Sequence, residues 1–546
     1  MIFYSKKMLY AAGIFFLLIV VCLVNPLYPK ERITGGSENS AYSEMSQKRE
    51  QMRRLIKQRE EEGADLSEVM SVLEQSRIAR QNGDKQESIR LLDKAITLLE
   101  KGGFTKPKQA ETAAITQGSE ITVELPVGSA QVEVTELVPD AASGKDIKTG
   151  GPAFKSYNLP ADNKKVRLKL GGVPLFVREI TSQSADKQTK QAVSNCKDSP
   201  FGIHDIDKFD ERLADVGACW VRHAGKTALI WDMAEPEKGE FDWSRTDDAL
   251  NETHRSNIET IVNISTFNHW DQGRGRGRGS KKLVKDITAY QNFLQQTVRR
   301  YPFVKAWQIE NEPDNKLFWP DTPENYLTLL KVSYQAIKRA NPDAMVVIGG
   351  ASHPTALDGK FWTDVFQLLE KQKGKERYFD VFDIHWFLHV DRYMQNLEQL
   401  TEYVQNARVK LNKAGYQAVP IWITEMASYS GSPMELGPVS EKQHAGELVK
   451  LYLHSLSQGV SKIFWVRLIE WSGFKGKTNG YFGNTGLINN PLNDGESHKK
   501  LAYYSYKKLA ELFRGINLKD INILNPGGQA HAYKFIKDGH PVYFVW

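Results

Sequence analysis

Two glutamates stand where a carboxyl group can be tuned for proton transfer or attack. Glu312 lies in Trp307-Gln-Ile-Glu-Asn-Glu-Pro-Asp314, just past the mostly apolar run Val304 to Ile309. That run reads as a buried strand. Pro313 has no N–H and cannot continue a central strand, so the strand ends at the glutamate. A carboxyl group held there is positioned and partly desolvated. Desolvation raises a carboxyl pKa, which is how a general acid is made. The structural alternative is a helix cap, but Thr322-Pro-Glu-Asn already supplies the start of the next helix. Pro420-Ile-Trp-Ile-Thr-Glu425-Met-Ala-Ser repeats the design, an apolar strand with a carboxylate at its carboxyl end. The two glutamates are 113 residues apart (425 − 312), which fits different strands of one parallel barrel.

The elements that must position them follow from Ser199 onward, where strands and helices alternate. Strands are expected at Phe201-Gly-Ile-His, Cys219-Trp-Val-Arg-His, Glu259 to Ser265, the Glu312 strand, Ala344 to Gly349, Val381-Phe-Asp-Ile-His-Trp, the Glu425 strand and Lys462-Ile-Phe-Trp-Val-Arg. Helices are expected at Asp207–Val216, Thr246–Asn257, Lys281–Arg300, Glu324–Ala340, Lys360–Lys371, Gln395–Ala414, Glu441–Gln458 and Lys499–Phe513. Eight such units in about 315 residues predict an α/β fold, a (β/α)8 TIM barrel with insertions. Active sites of that fold sit at the carboxyl ends of the strands.

With these motifs in place, the chain resembles the clan A glycoside hydrolases, most closely the family 39 and family 5 branches. Those enzymes are (β/α)8 barrels that carry the acid/base after strand four, in Asn-Glu-Pro, and the nucleophile after strand seven. The segment Trp231 to Trp243 resembles the clan's strand-two loop, and Asn484-Thr-Gly-Leu-Ile to Leu501-Ala-Tyr-Tyr-Ser-Tyr its strand-eight loop and last helix. The resemblance implies a retaining glycosidase with Glu312 as acid/base and Glu425 as nucleophile. It implies Asn311 on the sugar 2-hydroxyl and Arg222, at the end of strand two, beside the nucleophile. A buried Arg needs a carboxylate partner. It also places His385 in the cleft. Trp465 is a candidate sugar platform, with core packing as its alternative, and His269 with Trp270 after strand three are further candidates. His385-Trp-Phe departs from the clan's His-x-Tyr spacing, so the residue that orients Glu425 is left open. No metal cluster, nucleotide loop or Ser-His-Asp order stands out in the sequence, and no cofactor is expected.

Around the barrel, at residues 195–516, four further regions are expected. Residues 1–40 hold Lys6-Lys7 before the uncharged apolar run Met8 to Val24, with no small-x-small cleavage site after it. This reads as an uncleaved membrane anchor with the bulk of the chain outside the cytoplasm, periplasmic or extracellular; a cleaved signal peptide is the runner-up. Residues 41–104 read as a charged helical hairpin or stalk that could meet an envelope protein partner. Residues 118–190 alternate apolar and polar side chains at period two and read as a β-sandwich accessory domain. Residues 517–546 alternate again and could complete that sandwich. Cys196 and Cys219 flank the first barrel strand and helix and could pair, though three cysteines imply no disulfide framework.

The net charge of +6 is modest and no basic stripe with interleaved aromatics appears, which argues against nucleic acid. Gly273-Arg-Gly-Arg-Gly-Arg-Gly279 reads as a solvated loop. The expected substrate is a polysaccharide or oligosaccharide outside the cytoplasm, an endo-cleaved exopolysaccharide in the leading form. The alternatives are a non-catalytic carbohydrate-binding or polysaccharide assembly protein on the same scaffold, and a transglycosylase.

Overall fold

The computed structural model describes residues 85–101, 119–124, 131–140, 154–160, 165–179, 196–204, 206, 210–273, 281–390, 394–433, 436–471, 480–490, 497–524, 530–537 and 539–546, with positions 51, 55, 69, 72 and 76. The expected anchor Met8–Val24 and most of the expected stalk before Lys85 lie outside these residues. Among the described residues no helix is long and apolar enough to cross a membrane. The chain divides into two compact units, Met1–Gly118 and Ser119–Trp546.

In the first unit the helix Lys85–Lys101 forms where it is expected. Its Leu91, Ala95 and Leu99 recur at helical spacing, and they pack with Val69 and Val72 into a small apolar cluster.

The second unit begins with β1 (Ser119–Glu124), β2 (Gln131–Glu136), β3 (Ser156–Pro160), β4 (Lys165–Leu170) and β5 (Leu175–Glu179). The barrel strands follow: β6 (Phe201–His204), β7 (Trp220–His223), the short β8 (Leu229–Ile230), β9 (Glu259–Ser265), β10 (Ala306–Ile309), β11 (Met345–Ile348), β12 (Phe382–Phe387), β13 (Ile421–Ala427) and β14 (Val460–Val466). The chain ends with β15 (Asn522–Leu524), β16 (Ala532–Lys537) and β17 (His540–Val545). The main barrel strands run parallel in the order β11-β10-β9-β7-β6-β14-β13-β12. Parallel bridges Val347–Val381 and Ala351–Ile384 join β11 to β12 and bring the ring round. Helices between the strands complete a (β/α)8 barrel.

Alternation along each strand separates an outer face, packed on helices, from an inner one. The floor of the interior is apolar: Trp220, Ile261, Ala306, Val347, Val381, Trp422 and Phe464 form one cluster. Gly202 makes room there, since a Cβ on it would lie 2.5 Å from the Phe464 ring. The residues two further along several of the same strands are polar, and they build the site.

The carboxyl-terminal strands return to the start of the unit. β17 pairs antiparallel with β5, giving the sheet order β15-β16-β17-β5-β2-β3, and β1 pairs with β4 in a separate two-stranded sheet. Val132, Val134 and Val177 face Ile121, Val123, Val166 and Leu168 between the two sheets. Their neighbours in sequence face the other way: Phe544 stacks on Phe513 of the barrel's last helix, and Phe176 packs tilted against Phe544.

Four expected helices start later than the apolar pattern predicts, two of them only slightly, at Leu397 and Leu501, and two well inside the expected span. The first begins at Arg212 because the Asp210 side chain accepts from the Arg212 N–H. The third begins at Ile287 because Asp286 caps it through the Ala289 N–H, and Lys281 is drawn away to an ion pair with Glu310. Cys196 and Cys219 are bonded to each other, with Cα atoms 5.0 Å apart. The short 3-10 turn Cys196–Asp198 brings the first cysteine under the start of β7, where Trp220 Nε1 donates to the Cys196 carbonyl.

Candidate active site

The inner polar layer is one hydrogen-bonded network. Arg222 on β7 is wholly buried, and it spends its guanidinium on four partners. Nε donates to Gln308 Oε1 at 2.7 Å, Nη2 to Asn311 Oδ1 at 2.7 Å, and Nη1 to both Glu425 Oε1 at 2.6 Å and His204 Nδ1 at 2.8 Å. Gln308 passes the connection on through Nε2 to Asp383 Oδ2 at 2.6 Å. Asp383 also accepts from the Thr424 N–H at 3.0 Å and its hydroxyl at 2.6 Å. His385 lies between the glutamates: Nδ1 is 2.8 Å from Glu312 Oε1, and Nε2 is 3.8 Å from Glu425 Oε1. An oxygen of Glu312, a ring nitrogen of His385 and an oxygen of Glu425 all lie within 4.8 Å of one another.

Local backbone irregularities aim the two carboxylates. In β13 strict alternation would turn Thr424 inward and Glu425 outward. A register shift against β12, after Ile384, sets His385 opposite Glu425 and lets both residues reach the interior. At the end of β10, Glu310 and Glu312 have φ of 62° and 39°, in the left-handed region that side chains other than glycine rarely adopt. The turn at Glu310 sends its buried carboxylate sideways, to the Thr266 N–H at 2.7 Å, the Thr266 hydroxyl at 2.6 Å and Lys281. Glu312 instead meets His385, and Asn315 Nδ2 lies 3.5 Å from its other oxygen.

Charge in the site is set by burial and by this network. Burial alone would raise the Glu425 carboxyl. The fields of His385 and Arg222 outweigh it and hold the group down to about 2, so Glu425 is ionised. Burial would likewise neutralise His385, but Glu425, Asp383 and Glu312 push it up to about 10. His204 goes the other way: burial and the neighbouring cations keep it well below its usual value, against the pull of Glu425. A neutral His204 can accept at Nδ1 from Arg222, which puts its hydrogen on Nε2, 3.8 Å from Glu425. Asp314, next along the chain, is raised by burial and by the charge of Glu312.

Of the residues singled out in the sequence, Glu312, Glu425, Arg222, Asn311 and His385 come together here. With its carbonyl committed to Arg222, Asn311 has its amide NH2 left to offer a ligand. Trp465 does not join them. Phe464 is the inward residue of that pair on β14, so Trp465 points outward, wholly buried against His444 and Tyr452 of the helix Glu441–Ser457. It is a core residue with no free face for a sugar. His269 opens the short helix His269–Gln272 and is bonded to Asp232 at 2.6 Å, not to either glutamate. Trp270 beside it packs edge-on against Trp231. The reading of the sequence missed His204, Gln308, Asp383 and Thr424. The one sign of each was a polar residue in a mostly apolar barrel strand, at or next to the carboxyl end for His204 and Gln308 and farther back for Asp383 and Thr424.

Comparison with known proteins agrees with the barrel fold. Residues 279–498 match the family described as Glycosyl hydrolase catalytic core. No curated protein matches the sequence. Among solved structures, the chain is similar to a family 39 glycoside hydrolase from the gut symbiont Bacteroides cellulosilyticus WH2, at 18% identity and a TM-score of 0.50, over 78% of this chain and 86% of that one. A monomeric beta-xylosidase from Caulobacter crescentus CB15 has 14% identity and a TM-score of 0.44, over 64% and 75% of the two chains. Xylanase 10B from Thermotoga maritima has 15% identity and a TM-score of 0.41, over 59% and 98%. Residues 279–498 thus match a glycosyl hydrolase catalytic core, and the chain shares the (β/α)8 barrel fold of the family 39 structure.

Proposed function

We propose that the protein is a retaining glycosidase working by double displacement, with Glu312 as general acid/base and Glu425 as nucleophile. One observation carries this reading. Oxygens of the two carboxylates lie within 4.8 Å of each other. Retaining enzymes hold their carboxyl groups about 5–5.5 Å apart, whereas inverting enzymes leave about 6.5–9.5 Å for a water. The different environments fit the different roles. Glu425 is ionised by its cations and ready to attack, and Glu312 is bonded only to His385 and Asn315 among the described residues. Arg222 and His385 take the orienting role that the missing strand-six tyrosine leaves open. Asn311 is placed to hold the 2-hydroxyl, and His269 lies on the strand-three loop as a more distant contact.

We place the substrate among polysaccharides outside the cytoplasm, with endo cleavage of an exopolysaccharide as the leading form. The Cys196–Cys219 disulfide supports an oxidising compartment. The basic, then apolar, amino-terminal segment supports a tether to the membrane, and region 41–104, charged and of helical pattern in the sequence, is where an envelope protein would bind. Two measurements test the reading. Proton NMR of the first-formed product should show the anomer of the substrate, and an inverted anomer would rule out double displacement. Mass spectrometry of digests from a polysaccharide panel should show internal fragments; release of single residues only would make the enzyme exo-acting, and no product from any glycan would favour the binding protein.

A further inference from the structure

His385 contacts more of the site than either glutamate does, and its own surroundings fix its protons. Nε2 faces Thr424 Oγ1 at 3.2 Å, Asp383 Oδ2 at 3.3 Å and, farther off, Glu425. The Thr424 hydroxyl gives its hydrogen to Asp383, so toward His385 it can only accept. Nε2 thus meets acceptors alone and must carry a hydrogen. Nδ1 faces a third carboxyl group, Glu312, from the end of β10. Arg222 on β7 and His204 on β6 reach the cluster on the far side of Glu425. A ring with a carboxylate at each nitrogen and a third close by holds both of its protons.

Asp383 is as firmly built in as the ring it touches. It is wholly buried and accepts from the Thr424 backbone, the Thr424 hydroxyl and Gln308, which is itself held by Arg222. The contact also needs a glycine across from it, because a Cβ on Gly350 at the end of β11 would collide with both His385 Nε2 and Asp383 Oδ2.

We propose that Asp383 is a positioning residue for the acid step: by holding Nε2 of His385 it keeps the ring a cation that donates from Nδ1 to Glu312, so the carboxylate left when Glu312 gives up its proton forms against a fixed positive charge. This rests on Glu312 being the acid. In the first step the proton on the other oxygen of Glu312 passes to the glycosidic oxygen as the C1–O bond breaks. The electron pair of that bond stays on the leaving oxygen, and a Glu425 oxygen bonds to C1. In the second step water bonds to C1, its proton goes to Glu312, and the C1–Glu425 bond breaks. His385 keeps both protons throughout and is not a shuttle. Its elevated pKa, at about 10, agrees with that role.

The test compares leaving groups. Asp383→Asn should lower kcat/KM about 10- to 100-fold on an oligosaccharide or a phenyl glycoside, where protonation of the leaving oxygen matters, and much less on a dinitrophenyl glycoside. The alkaline limb of its pH profile should move to lower pH, because the ring loses an anion and deprotonates sooner. An equal loss on both substrates with an unmoved limb overturns the proposal. A second measurement uses the wild-type chain, so folding of the variant does not enter. With nitrogen-15 histidine, and His385 assigned by His385→Gln, both ring nitrogens should give imidazolium signals at about pH 8. A neutral ring at that pH overturns the proposal. Failure of the underlying assignment looks different: Glu312→Ala would then lose the dinitrophenyl glycoside as well.

Discussion

The two ends of the barrel interior are built from the same strands and treat charge in opposite ways. On β7, Trp220 faces the floor and Arg222 the site; on β13, Trp422 faces the floor and Glu425 the site. At the floor the buried cation Lys462 of β14 lies 4.2 Å over Trp220 and 5.7 Å over Trp422, and donates to the Ser199 carbonyl at 3.0 Å. Burial lowers it to about 8. At the site the buried cations are matched to carboxylates by hydrogen bonds of 2.6 to 2.8 Å. A charge left on aromatic rings tends toward neutrality, whereas a charge locked to carboxylates is kept and can be used. Two residues of strand on β7 and three on β13 separate these outcomes, so the carboxyl ends of the strands carry the chemistry and the amino ends the packing.

The sharpest way to break this contrast is to remove the site's carboxylates one at a time. Glu425→Ala should lower turnover by about four orders of magnitude or more, since no covalent intermediate can form. Azide should attack directly and give an inverted glycosyl azide. Glu312→Ala should lose about 10²- to 10⁴-fold on substrates with poor leaving groups and spare the first step on a dinitrophenyl glycoside. Here azide should restore turnover with retention. Azide products of the opposite configurations would exchange the two roles. Arg222→Lys comes next. It keeps the charge and loses the fork that reaches Glu425, Asn311, Gln308 and His204 together. Wild-type Glu425 is ionised above about pH 2 and so adds no acid limb near neutrality. In Arg222→Lys its pKa should rise, and an acid limb of kcat/KM should climb into the measurable range. A profile unchanged from wild type would mean that His385 alone keeps the nucleophile charged.

The ring of strands was legible because parallel barrel strands are short apolar runs, and the glutamates because each stands at the end of one. What the sequence hid is the face each residue takes. Lys462-Ile-Phe-Trp-Val-Arg does not say whether Phe464 or Trp465 points inward, and the ring chosen as a sugar platform is the outward one. The register shift before His385 and the left-handed residues Glu310 and Glu312 break alternation where alternation was most needed. His204 and Asp383 were passed over because a single polar residue inside an apolar run carries no periodic signal. The disulfide depended on the 3-10 turn that folds Cys196 under β7, and nothing in the cysteine spacing announces that turn.

At the floor the expected effects fall on stability and leave catalysis alone. Trp220 is buried against Trp422, with ring centroids 5.6 Å apart. Trp220→Ala removes a large ring from a closed apolar layer and should cost about 3–5 kcal/mol in urea unfolding. The kcat/KM of the remaining folded enzyme should stay near wild type. A large loss of kcat/KM with unchanged stability would mean that floor and site are not separate.

The smallest expected effect is the most direct test of the opposite handling of charge. Lys462 titrates at about 8 in the folded protein against 10.5 ordinarily, because burial outweighs the pull of Asp198 and Glu259. Between those values the folded chain binds fewer protons than the unfolded one, so stability rises with pH through that window. The full rise is at most about 3–4 kcal/mol, from 1.36 kcal/mol per pKa unit. Lys462→Met removes the titration while filling a similar volume, and its stability should lack this rise. Urea midpoints of both proteins at about pH 7 and about pH 10 give the difference, with other titrating groups cancelling between them. If the wild type instead lost stability relative to Lys462→Met as pH rose, the indole rings would be holding the ammonium more strongly than burial expels it, and floor and site would treat charge alike.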